Sequence, residues 1–269
     1  MISVLSALAY SCPLILCSLG ALFSEYAGCL ALFLDGLVSF SAFLNYAFTV
    51  STGSPVYGTV LSCLCSVTIT LLCSVVVEKW RANRFIAAIA VNLLFGAMTS
   101  CLSWLCFGTR GVLAADVYRF SAGAARAAAL YVTAVFSALA VIFLKYSRCG
   151  LYIRVAGSDA DVLQAKGVNP GTIRTLSWCL AALYGSLAGT LLTLRLCSFV
   201  PNISSGRGWM ALAAVFLGKK KPLRIMAAVI IFCLADLLSA NIQNYITGIP
   251  SSFLISLPYL VSLLLILIK

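Results

Sequence analysis

The feature that most constrains this chain is a series of apolar runs, each long enough to cross a lipid bilayer as a helix. A spanning helix needs about 20 mostly apolar residues. Runs of that length recur along the sequence, separated by short polar segments. Helices satisfy their own backbone hydrogen bonds, which lipid cannot do for them. We therefore expect an all-α integral membrane protein.

The composition also indicates that the bilayer is the solvent. Of 269 residues, 62% are hydrophobic and only 9% are charged, whereas about a quarter of a soluble domain is charged. We therefore expect a single transmembrane domain over 1–269. The net charge of +11 does not indicate nucleic acid, because lysine and arginine concentrate in the cytoplasmic loops of membrane proteins.

About eight spans account for the apolar sequence. They are expected at about 3–22, 29–50, 58–77, 85–107, 126–145, 173–196, 223–242 and 251–268. The first run has no basic segment before it, so we expect a span rather than a signal peptide.

A further apolar piece at about 208–218 is too short for an ordinary span. It would rise roughly 17 Å as a helix, and the hydrocarbon layer is about 30 Å thick. We expect a short broken helix, buried in protein, before the penultimate span. The alternative is a tilted ordinary helix that begins nearer Phe199.

Basic residues are distributed unevenly between the two sets of loops. One set carries Lys79, Arg81, Arg84, Lys145, Arg148, Arg154, Lys166, Arg174, Lys219, Lys220, Lys221, Arg224 and Lys269, and the other chiefly Arg110, Arg119 and Arg207. Because basic loops stay in the cytoplasm, we expect the N-terminus outside and both the 146–172 loop and the C-terminus inside.

Four polar residues within or at the edges of the spans are candidates for the substrate path. Asp35 and Asp236 are ionisable, and such groups usually face a bundle interior or a wet cavity; each could instead reach water from a span end. Asn92 and Asn241 carry amides that either join helices by hydrogen bonds or contact a polar solute.

No pattern in the sequence supports catalysis. The chain has no histidine, the commonest acid–base group, so we assign no catalytic residue. Its 12 cysteines are mostly dispersed in apolar runs, where they behave as small hydrophobes, and we expect neither a metal site nor a cofactor. Gly218-Lys219-Lys220-Lys221 lacks the earlier glycine and the Ser/Thr of a P-loop, so another subunit would supply energy.

The longest polar stretch, 146–172, carries signals of local structure. These are a helix cap at Ser158 or Asp159, a helix running to about Lys166, a stop at Gly167 and a turn at Asn169-Pro170. A short capped helix in a cytoplasmic loop suits docking to a cytosolic partner. A plain connecting loop is the alternative.

Three groups of residues together form a familiar pattern. They are Ser24-Glu25, Gly28 and Leu34-Asp35-Gly36; Arg81-Ala82-Asn83 with Ala90-Val91-Asn92-Leu93-Leu94; and Ala156-Gly157, Ala165-Lys166-Gly167-Val168-Asn169, Gly185-Ser186-Leu187-Ala188-Gly189 and Gly206-Arg207-Gly208-Trp209 through Gly218 with Pro222. Over roughly 20–245 the chain resembles permease subunits of bacterial ABC importers of the branched-chain amino acid and ribose type. It is most similar to their simple-sugar and nucleoside branch, which includes permeases linked to riboflavin uptake.

The chain departs from that family's pattern near its second span. Ala31 and Phe33 stand where the family usually has Asn and Gly, and Asp35 where it often has Glu. If these positions touch solute, the solute class could differ.

The resemblance implies partners and a mechanism. A second permease subunit, expected to make a heterodimer, would enclose the path, and an extracytoplasmic substrate-binding protein would deliver solute. Two cytosolic ABC ATPases would grip the 146–172 coupling loop. The coupling residues would be Gly157, Ser158, Asp159, Asp161, Gly167, Asn169 and Pro170. Lys219–Lys221 would border the ATPase contact or face anionic membrane lipid.

The expected function is therefore that of a permease subunit in the bacterial inner membrane. Its solute would be a nucleoside, a related ribose or ribityl compound such as riboflavin, or a simple sugar. A secondary transporter driven by an ion gradient through Asp35 or Asp236 is the alternative. An enzyme within the membrane is disfavoured.

Overall fold

The computed structural model describes residues 4–118, 122–245 and Leu260, with only the backbone for 4–6, 118, 122 and 240–245. These residues form ten α-helices: α1 Val4–Tyr26, α2 Leu34–Thr52, α3 Pro55–Lys79, α4 Arg84–Phe107, α5 Ala122–Tyr146, α6 Arg148–Ser158, α7 Ala160–Ala165, α8 Pro170–Leu196, α9 Arg207–Leu217 and α10 Pro222–Tyr245. No β-strand occurs in this part of the chain, which has an isolated β-bridge between Leu113 and Phe199. The all-α prediction is confirmed.

Six of these helices are long and apolar enough to cross a membrane, namely α1, α3, α4, α5, α8 and α10. Helix α2 has 19 residues but is not among the six, and α9 has only 11. The expected span at 251–268 lies outside the described residues, apart from Leu260. The total of eight spans therefore stays a prediction.

Helices α1, α2 and α8 form the centre of the bundle. Most of α1 and α8 is buried, whereas α4 and α5 are largely exposed. Gly185 and Gly189 of α8 lie directly against Leu37 and Ser41 of α2, as their small-residue spacing predicts. The outer helices present large apolar side chains such as Leu64 and Leu105, as expected for a surface in contact with lipid.

The entry into α2 differs from the expected span. Helix α2 begins at Leu34 instead of about residue 29, and the segment 27–33 is not helical. Gly28 has a left-handed backbone (φ 71°), and Ser24 Oγ accepts a hydrogen bond from Ala31 N–H at 3.1 Å. Most of this segment is buried, the condition under which irregular backbone is tolerated at membrane depth.

The 146–172 loop contains two short helices, although the sequence indicated one. Helix α6 is capped by Ser147 and α7 by Asp159, whose Oδ1 accepts from Asp161 N–H at 3.0 Å. The expected helix stop is confirmed, because Gly167 is left-handed (φ 75°) just after α7. The expected turn at Asn169-Pro170 instead starts α8, since Asn169 Oδ1 accepts from Gly171 N–H at 2.9 Å.

A short helix does lie where the apolar piece at 208–218 predicts one. Helix α9 follows Gly206, which is left-handed (φ 79°), and ends before Gly218. It packs against α1, α2 and α10 and is largely buried. That this helix is a broken membrane span stays a prediction.

Candidate functional site

A polar cavity of about 420 Å³ lies between α2, α4 and the segments that precede α5 and α9. It is lined by Asp35, Gly36, Ser39, Asn92, Leu93, Gly96, Ala97, Thr99, Ser100, Ser103, Arg110, Phe199, Pro201 and Asn202. Eight of these fourteen side chains are polar or charged. The fold thus brings two of the four predicted path residues, Asp35 and Asn92, to one cavity.

Asp35 lies where the first turns of two helices meet. It belongs to the first turn of α2, and its Oδ1 accepts a hydrogen bond from Gly208 N–H in the first turn of α9 at 3.1 Å. The N-terminus of a helix carries partial positive charge and favours a carboxylate. Asp35 Oδ2 has no protein donor among the described residues and can accept a hydrogen bond from a solute.

Asn92 joins α4 to the same helix start. Its Oδ1 accepts from Gly36 N–H at 2.6 Å. Because the oxygen is used in this way, the amide Nδ2 is left to donate. The carboxylate and the amide therefore offer the cavity an acceptor and a donor side by side.

Two glycines make this close approach possible. A Cβ on Gly208 would overlap the backbone of Asp35, and a Cβ on Gly36 would overlap the carbonyl oxygen of Asn92. Larger side chains at either position would separate the helices that carry the two polar groups.

Six further polar residues of the cavity were missed by the sequence analysis. They are Ser39, Thr99, Ser100, Ser103, Arg110 and Asn202. The spacing could have identified three of them, because residues four, eight or eleven apart share one face of a helix. Ser39 follows Asp35 by four residues, and Ser100 and Ser103 follow Asn92 by eight and eleven. Arg110 and Asn202 lie in loops, where no periodicity marks them.

Asp236 lies in a separate cluster. Tyr10 donates a hydrogen bond to its Oδ2, and Arg207 Nη2 lies 3.5 Å from the Tyr10 hydroxyl. The guanidinium of Arg195 lies 4.2 Å from the centre of the Tyr10 ring. These contacts tie α10 to α1, α8 and α9, so the geometry fits helix pairing. The side chain of Asn241 lies outside the described residues.

The seven predicted coupling residues lie on and beside α6 and α7. All but Pro170 are exposed, and the α7 side chain Leu163 is buried as an anchor. Gly157 packs against Tyr26 and Gly28 after α1. Nearby, Lys220 Nζ lies 3.0 Å from Glu25 Oε1. This end of the bundle therefore presents an ordered surface helix.

A second cavity, of about 630 Å³ between α3, α5 and α8, is lined almost wholly by apolar side chains. It suits acyl chains better than a polar solute. The described residues contain no group of three or more side chains that could hold a metal ion.

Six apolar helices long enough to cross a membrane indicate a multi-pass membrane protein. The chain belongs to the family described as branched-chain amino acid transport system, permease component, which it matches over residues 3–268. The resemblance inferred from the sequence is confirmed.

Several curated relatives match most of the chain. The guanosine ABC transporter permease protein NupQ of Bacillus subtilis is 25% identical over 98% of this chain and 90% of that protein. The putative glucose ABC transporter permease protein TsgC13 of Haloferax volcanii is 25% identical over 86% of this chain and 74% of that protein. Both relatives are named as permeases.

A solved structure, PsaBC from Streptococcus pneumoniae in complex with Fab, has a similar fold. The TM-score is 0.57 with 14% sequence identity, covering 97% of this chain and 88% of that chain. At this identity the likeness concerns the fold alone.

Proposed function

We propose that this chain is the permease subunit of an ATP-driven ABC importer and that the 420 Å³ cavity is part of its solute path. The observation that carries the proposal is that Asp35 and Asn92 line one cavity. Asp35 bonds to the start of α9, and Asn92 of α4 bonds to the start of α2. Short helices whose N-termini face a polar site within the membrane are a recurring way to bind solute.

A nucleoside is the solute that best fits this site. Ligand pockets usually measure about 300–1,000 Å³, and the cavity falls in that range at about 420 Å³. Asp35 Oδ2 can accept from ribose hydroxyls, and Asn92 Nδ2 can donate to a ring oxygen or a base carbonyl. The guanosine permease among the relatives supports this choice. A simple sugar offers the same hydroxyls, and riboflavin carries a ribityl chain, so both belong in the test.

A second permease subunit would close the cavity. The exposed side of α4 carries Gly96, Ala97 and Ser100 along the cavity wall, and polar groups at this depth disfavour contact with lipid. A partner permease, different from this chain in the heterodimer that we favour, would cover this face. The assembly would span the bacterial inner membrane with eight spans in this chain and its C-terminus in the cytoplasm.

The ATPase subunits would contact α7 and its flanks, within a single permease domain over 1–269. This assignment rests on the exposed, capped helix and on the family to which the chain belongs. A substrate-binding protein would dock on the opposite face.

Purification of tagged protein with its chromosomal neighbours tests the assignment. We expect an ATPase and a second permease to co-elute. A variant with the exposed α7 residues Asp161, Val162 and Gln164 replaced by Ala should lose the ATPase and keep the second permease. The matched control changes three exposed residues of the α5 surface, Tyr131, Leu139 and Ile142, to Ala. Equal ATPase recovery from the wild type, the α7 variant and the α5 control would contradict docking at α7.

A further inference from the structure

A third cavity, of about 840 Å³, lies between the turn that joins α3 to α4 and the start of α8. Its wall carries Lys79, Arg81, Arg84 and Arg174, with Glu78 as its one acidic residue. Asn169 and Pro170 close it on the other side. The proposed ATPase contact shares Gln164, Asn169 and Pro170 with this cavity but assigns no role to its four basic side chains.

The turn between α3 and α4 is held rigidly. Arg84 Nε lies 2.6 Å from Glu78 Oε1 and Nη2 lies 3.2 Å from Oε2, a bidentate ion pair. Asn83 Oδ1 accepts from Phe85 N–H at 3.0 Å and caps α4. Arg81 adopts a left-handed backbone (φ 50°), which is uncommon for a residue other than glycine.

The remaining positive charge has no acidic partner. Because Glu78 and Arg84 neutralise each other, Lys79, Arg81 and Arg174 leave the cavity with a net positive wall, and none of these three pairs with an acid within the described ranges. Arg174 Nε is moreover buried and has no hydrogen-bond acceptor there. The positive charges of Lys79, Arg81 and Arg174 at the cavity wall would be neutralised by an anionic group from outside the chain.

The surroundings of the cavity indicate its depth in the membrane. Trp80 is 74% exposed, and Phe85 and Ile86 are 53% and 64% exposed. Tryptophan is enriched at the boundary between headgroups and acyl chains. At this boundary the basic residues can contact a lipid phosphate, and the exposed apolar side chains can contact the acyl chains of the same lipid.

We propose that this cavity binds the headgroup of an anionic phospholipid. The phosphate would lie between Lys79, Arg81 and Arg174, and the acyl chains would run along Phe85 and Ile86. Basic pockets between membrane helices take such headgroups. The bound lipid would join the α3–α4 turn to the start of α8. The proposal does not depend on the solute. The cavity adjoins the proposed ATPase contact, because Gln164, Asn169 and Pro170 also line it.

Fluorescence quenching by brominated lipids tests this site in reconstituted protein. The fluorescence of Trp80 is obtained by subtracting the emission of the Trp80→Phe variant from that of the wild-type protein. We expect brominated phosphatidylglycerol to quench it at lower mole fraction than brominated phosphatidylcholine. In the double variant Lys79→Gln/Arg81→Gln, the preference for phosphatidylglycerol over phosphatidylcholine should fall about fivefold for each charge removed.

The matched control is Lys219→Gln/Lys221→Gln, which removes two exposed basic charges outside the cavity and should leave the Trp80 selectivity unchanged. Arg174→Gln, measured in the same way, supplies an independent variant if the turn variant folds poorly. Equal quenching by both lipids, or unchanged selectivity in the cavity variants, would overturn the proposal. So would a cavity variant that keeps its lipid selectivity but no longer co-purifies with an ATPase, since the cavity would then dock protein.

Discussion

Asp35 combines a hydrogen bond to Gly208 with an oxygen that has no donor among the described residues, and Asp35→Asn separates these roles. Asp35→Asn keeps the oxygen that accepts from Gly208 N–H but removes the charge offered to the solute. We expect a normally folded protein whose solute affinity falls about tenfold or more, because hydrogen bonds to charged groups contribute about 1.5–3 kcal/mol. Binding of labelled guanosine to the purified complex measures this effect.

Asp236→Asn is the matched control for that experiment. It removes an acid that bonds to Tyr10, away from the 420 Å³ cavity, so we expect lower thermal stability with unchanged solute affinity. If Asp236→Asn weakens binding while Asp35→Asn does not, the cavity has been assigned to the wrong acid.

Gly208 has a steric requirement that alanine cannot meet. Gly208→Ala would place a methyl group against the backbone of Asp35, and overpacking of this kind costs about 1–3 kcal/mol. Gly96→Ala, on α4 and with open space around it, should instead be neutral or stabilising. In thermal unfolding in detergent, Gly208→Ala should melt at a lower temperature than wild type, and Gly96→Ala at the same or a higher temperature. Equal melting temperatures would show that α9 does not pack on α2 so closely.

At the scale of elements, the N-cap of α7 stabilises the short helix that we propose as the ATPase contact. Asp159→Ala removes the acceptor for Asp161 N–H and costs about 1 kcal/mol of helix stability, a large share for a helix of six residues. We expect less ATPase to co-purify. Asp159→Asn, which retains the cap, should recover as much ATPase as wild type. Loss in both variants would mean that the carboxylate itself contacts the ATPase.

The sequence predicts some elements better than others, for physical reasons. Helices α3 and α4 lie within three residues of their expected spans because polar turns bound their apolar runs. The predicted start of α2 was wrong by five residues, because 29–33 is as apolar as the helix that follows. Hydropathy also contains no information about the left-handed backbone of Gly28. Helix α6 was missed because its apolar residues are interspersed among polar ones in a polar stretch.

The sequence likewise identifies some residues of the candidate site and not others. Asp35 and Asn92 stand out individually as polar groups in apolar runs, so the sequence identifies both. Their contact with one cavity depends on how α2 packs on α4, which no local pattern specifies. Arg110 and Asn202 reach the cavity from loops, and only the assembled fold brings them there.

At the scale of the whole molecule, the polar side chains of the 420 Å³ cavity contrast with the large apolar side chains on the outer helices. The 420 Å³ cavity adjoins the starts of α2 and α9, while α7 is exposed near the far ends of α1 and α3. Transport powered by a partner subunit would use these two places separately, the cavity for the solute and α7 for the ATPase that we propose. An ion-driven carrier would instead need its coupling acid in the path, and Asp35 would have to serve as that group.

Uptake into proteoliposomes tests the central claim most directly. The complex with its ATPase and second permease is reconstituted with its binding protein, and labelled guanosine, glucose and riboflavin are supplied in turn. The account predicts guanosine uptake that requires hydrolysable ATP, persists when ion gradients are collapsed and falls in Asp35→Asn. Uptake by this chain alone, driven by an ion gradient without ATP, would contradict it.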